Sequence, residues 1–188
     1  MDAVIRPLLA SDRPAAGRLL DDAVGAGFWG FREGPGDLSF VAVMQVDVAG
    51  VVLALLAPAD EPDAQTVLGP LAMRLAAAGD PVLHVHELAV AHAARRGGLA
   101  SRMLARAEAE ALALGARAAF AFGWLPAGRP EPDAVPFYGA AGYTAGPDIA
   151  DFYTEGSIAS GAHCPYCGDP PCRCSVRPFV KALQPGAG

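Results

Sequence analysis

The chain has 188 residues, enough for one domain with a single substantial core. Apolar residues make up 53% and charged residues 18%, which excludes a disordered chain; much of the apolar share is alanine, so the core should be closely packed rather than bulky. A net charge of −6 argues against a general nucleic-acid partner, which would need a basic stripe.

In chain order, Met1 to Pro7 lacks a charged region followed by an apolar core, so no secretory leader is expected. No uninterrupted apolar run is long enough to span a membrane, and cytoplasm is the default location. Val4 to Leu9 reads as a short strand. Ser11-Asp12-Arg13-Pro14 reads as a helix start, with a capping oxygen and Pro in the first turn. Leu19, Leu20 and Val24 recur at helical spacing until Gly25 and Gly27. Phe28-Trp29-Gly30-Phe31 is an aromatic loop expected to pack as a lid on the core edge. Leu38 to Val46 and Val51 to Leu56 are β-rich runs, and Asp47-Val48-Ala49-Gly50 between them reads as a hairpin turn. An acidic loop from Pro58 to Pro62 precedes a weaker helix pattern near Pro70 to Ala78.

The strand Val82 to Val90 follows, then a helix from Leu99 to about Leu114. Leu99, Met103, Ala107, Ala111 and Leu114 form its inner stripe, Arg102, Arg106 and Glu110 its outer face, and Gly115 its C-cap. A strand at Ala116 to Phe122 leads into a Pro- and Gly-rich linker, Trp124 to Pro132. A short helix from Asp133 to about Ala141 stops at Gly142, and Asp148 to Ile158 with Ser175 to Leu183 read as a final strand pair. The order β, α, β, β, (α), β, α, β, α, β, β is mixed α/β. One domain, residues 1–188, is expected, with 160–175 an inserted loop between the last two strands.

Between the strand and its helix runs Arg95-Arg96-Gly97-Gly98-Leu99-Ala100-Ser101. Small residues let the backbone turn tightly and approach a ligand, and the free N–H groups opening the helix join two guanidinium groups in a concave positive surface. Arg95, Arg96, Arg102 and Arg106 make this a local basic patch in an acidic chain, suited to one small anion. A Walker loop would need a Gly-Lys-Ser/Thr ending, and a dinucleotide fingerprint three spaced glycines; neither is present.

The spacing Arg95-x-x-Gly98-x-Ala100 resembles the pyrophosphate loop of the GNAT N-acetyltransferases, where Gln or Arg is followed after two residues by Gly and after one more by Gly or Ala. Phe137-Tyr138-Gly139-Ala140-Ala141-Gly142-Tyr143 resembles the same family's Tyr-x-x-x-Gly-Phe/Tyr segment, and the element order is also that of this fold. The resemblance implies a central, mostly antiparallel sheet flanked by helices, and acetyl-CoA as cosubstrate. It implies that the backbone of Leu88, Ala89 and Val90 holds the pantetheine arm and residues 95–101 the pyrophosphate. It also implies that Tyr138 protonates the leaving thiolate and that a carboxylate on the strand before the loop, here Glu87, accepts the proton of the attacking amine. A phenol near its ordinary pKa of about 10 suits the first task. By strand alternation His84 and His86 should face away from Glu87; they could line the acceptor pocket and titrate near neutrality, or be satisfied within the sheet. The family commonly carries an Asn after the strand matching Ala116 to Phe122. Here Gly123-Trp124-Leu125-Pro126 stands instead, which makes the following loop a specificity element.

All four cysteines fall in Cys164-Pro-Tyr-Cys167-Gly-Asp-Pro-Pro-Cys172-Arg-Cys174. Cys-x-x-Cys-Gly forms a tight knuckle whose N–H groups point at sulfur, and four thiolates satisfy tetrahedral Zn²⁺ without an open position, which would make the ion structural. The second pair is Cys-x-Cys rather than Cys-x-x-Cys, so free or redox-active thiols and disulfides stay open, with His163 a substitute ligand. The reading is an enzyme that moves acetyl directly from acetyl-CoA to a small-molecule or protein amine, with a homodimer one open arrangement. The alternative is a noncatalytic module of the same fold that presents its zinc loop to a protein or nucleic acid.

Overall fold

The computed structural model describes residues 3–26, 29–32, 34–59 and 80–184. The helix pattern near Pro70 to Ala78, most of the acidic loop before it, and Phe28 lie outside these. β1 (Val4–Pro7) leads through a 3₁₀ turn (Ala10–Asp12) into α1 (Arg13–Val24), followed by β2 (Phe40–Met44), β3 (Asp47–Pro58) and β4 (Pro81–Val90). Then come α2 (Leu99–Ala113), β5 (Ala118–Leu125), α3 (Val135–Ala140), β6 (Thr144–Ala145), α4 (Thr154–Ser160) and β7 (Ser175–Ala182). The described strands form one sheet in the order β1-β2-β3-β4-β5-β7-β6. Every neighbouring pair is antiparallel except β4 with β5, so the fold is the mixed α/β, mostly antiparallel sheet expected.

α1 covers one face of the sheet and α2 the other. Leu20 and Ala16 of α1 pack on Val41, Val51, Leu53 and Ala89, while Met103, Leu104, Ala107 and Ala111 of α2 pack on Ala42, Val52, Leu83 and Val85. Alanines hold many of these positions, which lets the α2 face sit close to the strands. Leu114, expected inside, is 57% exposed because the helix ends at Ala113 and Gly115 turns away with φ +97°, while Leu104, not expected there, is buried with the inner stripe. The outer face behaves as expected, with Arg106 donating to Glu110 one turn later at 2.5 Å.

Three expectations change. The first helix begins at Arg13 with Asp12 before it and Pro14 in its first turn, but no side-chain oxygen caps it: the Asp12 carboxylate turns back, accepting from the Leu9 amide at 2.9 Å and from both terminal nitrogens of Arg6 at 2.6 and 2.8 Å. The β2–β3 turn falls on Gln45 and Val46, with Gln45 left-handed at φ +58°, rather than on 47–50, which pair with β2 or β4 inside the strand. Asp148 to Ile158 is not a strand: Ile149 makes a single bridge to Val176, Asp148 is fixed by Arg177 at 2.7 Å, and the chain then coils into α4. β7 pairs instead with β5 and with the two-residue β6. The helix before it is α3, which stops where Gly142 takes φ +83°.

The site-forming feature is the parallel pair. β4 and β5 are paired only from Val82–Ala118 to Val85–Ala121, yet β4 runs on to Val90 and β5 to Leu125. The two strands splay beyond that point, opening a cleft in the middle of the sheet.

Candidate active site

A cavity of about 470 Å³ occupies this splay. His84, His86, Glu87 and Leu88 of β4 line one side, Phe122, Gly123 and Trp124 of β5 the other, and Tyr138, Phe152, Tyr153 and Tyr166 close it. Gly123 is inside β5, which extends three residues beyond the expected end. A Cβ there would meet Phe179 at 2.6 Å and Pro132 at 3.1 Å, so only glycine lets the Pro-rich loop fold back on the strand.

The alternation argument for His84, His86 and Glu87 fails because β4 carries a bulge. Opposite Leu53 and Ala54 the register jumps from Glu87 to Val85, which leaves His86 as the extra residue. Before the bulge Leu83 and Val85 face α2; after it Leu88 and Val90 do. Glu87 is thereby brought to the same cavity as both histidines. Burial raises its carboxyl to a pKa of about 8, which poises it between acid and base near neutrality.

The histidines do not titrate near neutrality as expected. His84 is 2% exposed, stacked on Phe120 at 4.1 Å and 3.6 Å from the His86 ring. Burial, then repulsion from His86 and Arg32, lowers His84 to about 2; burial and Arg32 lower His86 to about 4. Both are neutral at physiological pH.

Tyr138 sits on α3 with its ring stacked on Phe179 at 4.8 Å and edge-on to Phe137 and Tyr143. Its phenol is not near its ordinary pKa: burial, reinforced by the Glu87 charge, pushes it well upward, so it holds its proton throughout the working range.

Beyond the bulge the β3 side of β4 stays paired as far as Val90, whereas among the described residues no strand covers its other edge over Glu87 to Val90. Arg95 folds back there and donates Nε to the Val90 carbonyl at 3.0 Å. Arg96 and Gly98 are both left-handed, at φ +65° and +71°, and a Cβ at Gly98 would meet nothing within 4 Å. The first intrahelical bond runs from the Arg102 amide to the Gly98 carbonyl at 3.0 Å, so the amides of Leu99, Ala100 and Ser101 precede the helical ladder and open into a nest. The open strand edge and this nest fit an extended ligand that carries phosphate at one end.

Residues 5–143 match the sequence model of the acetyltransferase (GNAT) family. The chain belongs to that family. It is therefore an acyltransferase, as the two motifs had implied. Structural comparison agrees on the fold. Arabidopsis thaliana NAA60 bound to a bisubstrate analogue is 13% identical, with a TM-score of 0.70 over 97% of this chain and 99% of that one. A GNAT-family acetyltransferase structure from Desulfovibrio desulfuricans is 17% identical, TM-score 0.63, covering 97% and 99%. The ribosomal-protein-S18-alanine N-acetyltransferase of Escherichia coli is 14% identical, TM-score 0.62, covering 99% and 97%. No curated protein sequence matches the chain. Among the described residues no helix is long and apolar enough to cross a membrane.

The family match ends before the cysteine segment, which therefore rests on its own geometry. All four sulfurs lie within 4.8 Å of one another, and three pairs are separated by 3.5, 3.7 and 4.0 Å. A Zn–S bond of about 2.3 Å in a tetrahedron requires S···S near 3.8 Å, so the set fits such an ion; a disulfide needs about 2.05 Å. Amides of Cys167, Arg173 and Cys174 donate to sulfurs at 3.4 to 3.5 Å. His163 instead pairs with Asp169 at 3.1 Å and is not needed. The thiols are free, and burial pushes Cys172 up to about 12; a divalent cation is what would let four thiolates share this volume.

Sequence reading missed Phe152, Tyr153 and Tyr166 as cavity residues. Tyr166 carried a signal, since it stands inside the Cys-x-x-Cys turn, but nothing in the sequence says which way that turn faces.

Proposed function

We propose that this acyltransferase transfers acetyl directly from acetyl-CoA to an amine, with Glu87 as base and Tyr138 as acid. The observation that carries this reading is that a poised carboxylate and a protonated phenol, from β4 and α3, share the cavity where the sheet splays. The open edge at Leu88, Ala89 and Val90 would hold the pantetheine arm, and Arg95, Arg96, Gly97, Gly98, Leu99, Ala100 and Ser101 the pyrophosphate, with Arg95 releasing Val90 as the ligand takes that edge. Acetyl-CoA brings the activated thioester.

The amine enters as an ammonium and must lose a proton to attack. Glu87 accepts it, and the amine nitrogen bonds to the carbonyl carbon as the carbon–sulfur bond breaks. Tyr138 donates its O–H to the departing sulfur, and the second proton that the newly acylated nitrogen sheds restores the phenol. Burial that raises the phenol also raises the basicity of a thiolate in the same cavity, so the two stay matched as proton donor and acceptor. The neutral histidines supply a polar but uncharged floor.

Cys164, Cys167, Cys172 and Cys174 would hold one structural Zn²⁺ within the single domain 1–188, in the segment 160–175. Thr154 Oγ1 donates to the Cys172 carbonyl at 2.7 Å and the Cys172 amide donates to Ser157 Oγ at 2.9 Å, which ties that segment to α4. Calorimetric titration with acetyl-CoA, followed by thiol release with a panel of amines, tests the reading. Micromolar binding and amine-dependent release are expected; no binding and no release would leave a noncatalytic module.

A further inference from the structure

The acceptor end of the cavity is a chain of aromatic rings. Phe122 meets Phe152 at 4.9 Å, Phe152 meets Tyr153 edge-on at 5.2 Å, Tyr153 meets Trp124 at 5.8 Å, and Trp124 meets Tyr166 edge-on at 5.3 Å. The last ring belongs to the cysteine segment: Tyr166 stands between Cys164 and Cys167 in the turn closed by reciprocal 2.9 Å bonds between Cys164 and Gly168. The cysteines are the floor beneath this wall, with Cys164, Cys172 and Cys174 fully buried and Trp124 and Tyr153 packed on them. Tyr166 is 59% exposed, so part of its ring is uncovered while it lines the cavity.

The carboxylates there do not suit a polycation. Asp133 is already engaged by Arg129 at 2.5 Å, and Glu87 is the one other carboxyl among the described lining residues. One buried base, several aromatic faces and, among the described lining residues, no second buried anion define a narrow class of acceptor.

We propose that the acceptor is a primary monoamine carried on an aromatic body, that Tyr166, Trp124 and Tyr153 hold that body, and that the four-cysteine metal centre fixes Tyr166 in place. Aromatic pairs prefer the edge-to-face and offset arrangements these rings already make, so a ligand ring extends the series at little cost in ordering. The ammonium end then points toward Glu87, at the base of β4. The inference rests on the acetyl-transfer reading above.

The test uses the full metal-loaded chain with phenethylamine and spermidine as probes. Phenethylamine should be the better substrate by kcat/KM. Tyr166→Ala should raise its KM and its calorimetric Kd about tenfold, the loss of one stacked ring, and Tyr166→Phe should restore both. Acetyl-CoA affinity should be unchanged in each variant. Stripping the metal with a thiol-competing chelator should weaken phenethylamine binding to the same degree while acetyl-CoA still binds. Spermidine preferred over phenethylamine, or an unchanged phenethylamine Kd in Tyr166→Ala with acetyl-CoA binding intact, would overturn the acceptor assignment alone. Absence of metal from the purified chain would overturn the role given to the cysteines, and loss of acetyl-CoA binding by the unmodified protein would overturn the transfer reading itself.

Discussion

Glu87→Gln separates burial from catalysis at the one carboxyl the cavity holds deeply. Burial raises its pKa from 4.5 to about 8. The native state therefore keeps a proton that the unfolded chain has already released, so the native form is stabilised less as pH rises between those two values. Each pH unit in that window costs about 1.4 kcal/mol, which sums to roughly 3–4 kcal/mol between pH 5 and pH 8. Gln has the shape of the protonated acid and no charge to bury, so the variant should lack this slope. Its neighbours do not confuse the comparison: Tyr138 and Tyr153 are held well above their ordinary pKa by burial, and His84 and His86, lowered in the native state, titrate near 6.5 only in the unfolded chain, a contribution shared by parent and variant that cancels in their difference.

Urea denaturation of both proteins at several pH values reads the difference directly, provided the m-values match. Glu87→Gln should equal the parent near pH 5 and exceed it progressively toward pH 8. The same variant should lose about 10²- to 10⁴-fold in kcat/KM, and with it the acidic limb of the parent's pH profile, the rise in rate as Glu87 deprotonates toward about 8. Parallel stability curves would refute the burial argument; an unchanged rate would assign proton removal to water or another group.

Tyr138→Phe keeps the stacking on Phe179 and deletes only the donor, so kcat should fall by about 10²- to 10⁴-fold with acetyl-CoA affinity little changed; a change of a few-fold would make Tyr138 a packing residue. Because Gly98 is left-handed, Gly98→Asp and Gly98→Asn should be compared: both side chains tolerate that conformation better than most, but only Asp repels pyrophosphate, so calorimetry should show acetyl-CoA binding lost in Asp and weakened much less in Asn. Equal affinity in both would remove the nest from the ligand site. Elemental analysis should find about one zinc per chain, and the double variant Cys164→Ser with Cys167→Ser should lose it together with thermal stability while keeping acetyl-CoA binding. A metal-free, fully stable parent with four titratable thiols would reject the zinc site.

Much of this architecture was legible because short-range physics wrote it. The α2 stripe of Leu99, Met103, Ala107 and Ala111, the stop at Gly115 and the turn at Gly142 follow from periodicity and backbone freedom, and the structure places them there. The errors fall where tertiary partners outrank local pattern. Asp148 to Ile158 contains strand-forming residues, but it meets β7 only at the start of that strand: β6 pairs with Phe179 and Val180, Ile149 bridges Val176, and β7 begins at Ser175, so β7 offers nothing to the residues after Ile149. Asp12 turned away from the helix it precedes because Arg6, six residues away across a turn, supplied two charge-assisted bonds that no helix-start rule contains.

The site was legible in its parts and not in its assembly. The candidate phosphate loop and the Tyr138 segment are contiguous stretches, so the family's two motifs could be matched to them in the sequence. The placement of Glu87 depends on one extra residue in β4, and a bulge has no signature in His86-Glu87-Leu88: periodicity assigned the histidines and the glutamate to opposite faces, whereas the register shift brings them together. The same single-residue slip explains why the chemistry can sit where it does. Without it Glu87 would turn toward the α2 core, where an ionisable carboxyl has no partner; with it the carboxyl reaches the splay between β4 and β5, which is also where Tyr138 arrives from α3 and the cysteine segment brings Tyr166. Substitutions that erase the bulge, such as deletion of His86, should therefore remove activity while leaving α2 packed and the Gly98 nest intact, a separation that acetyl-CoA calorimetry on the deletion variant would show.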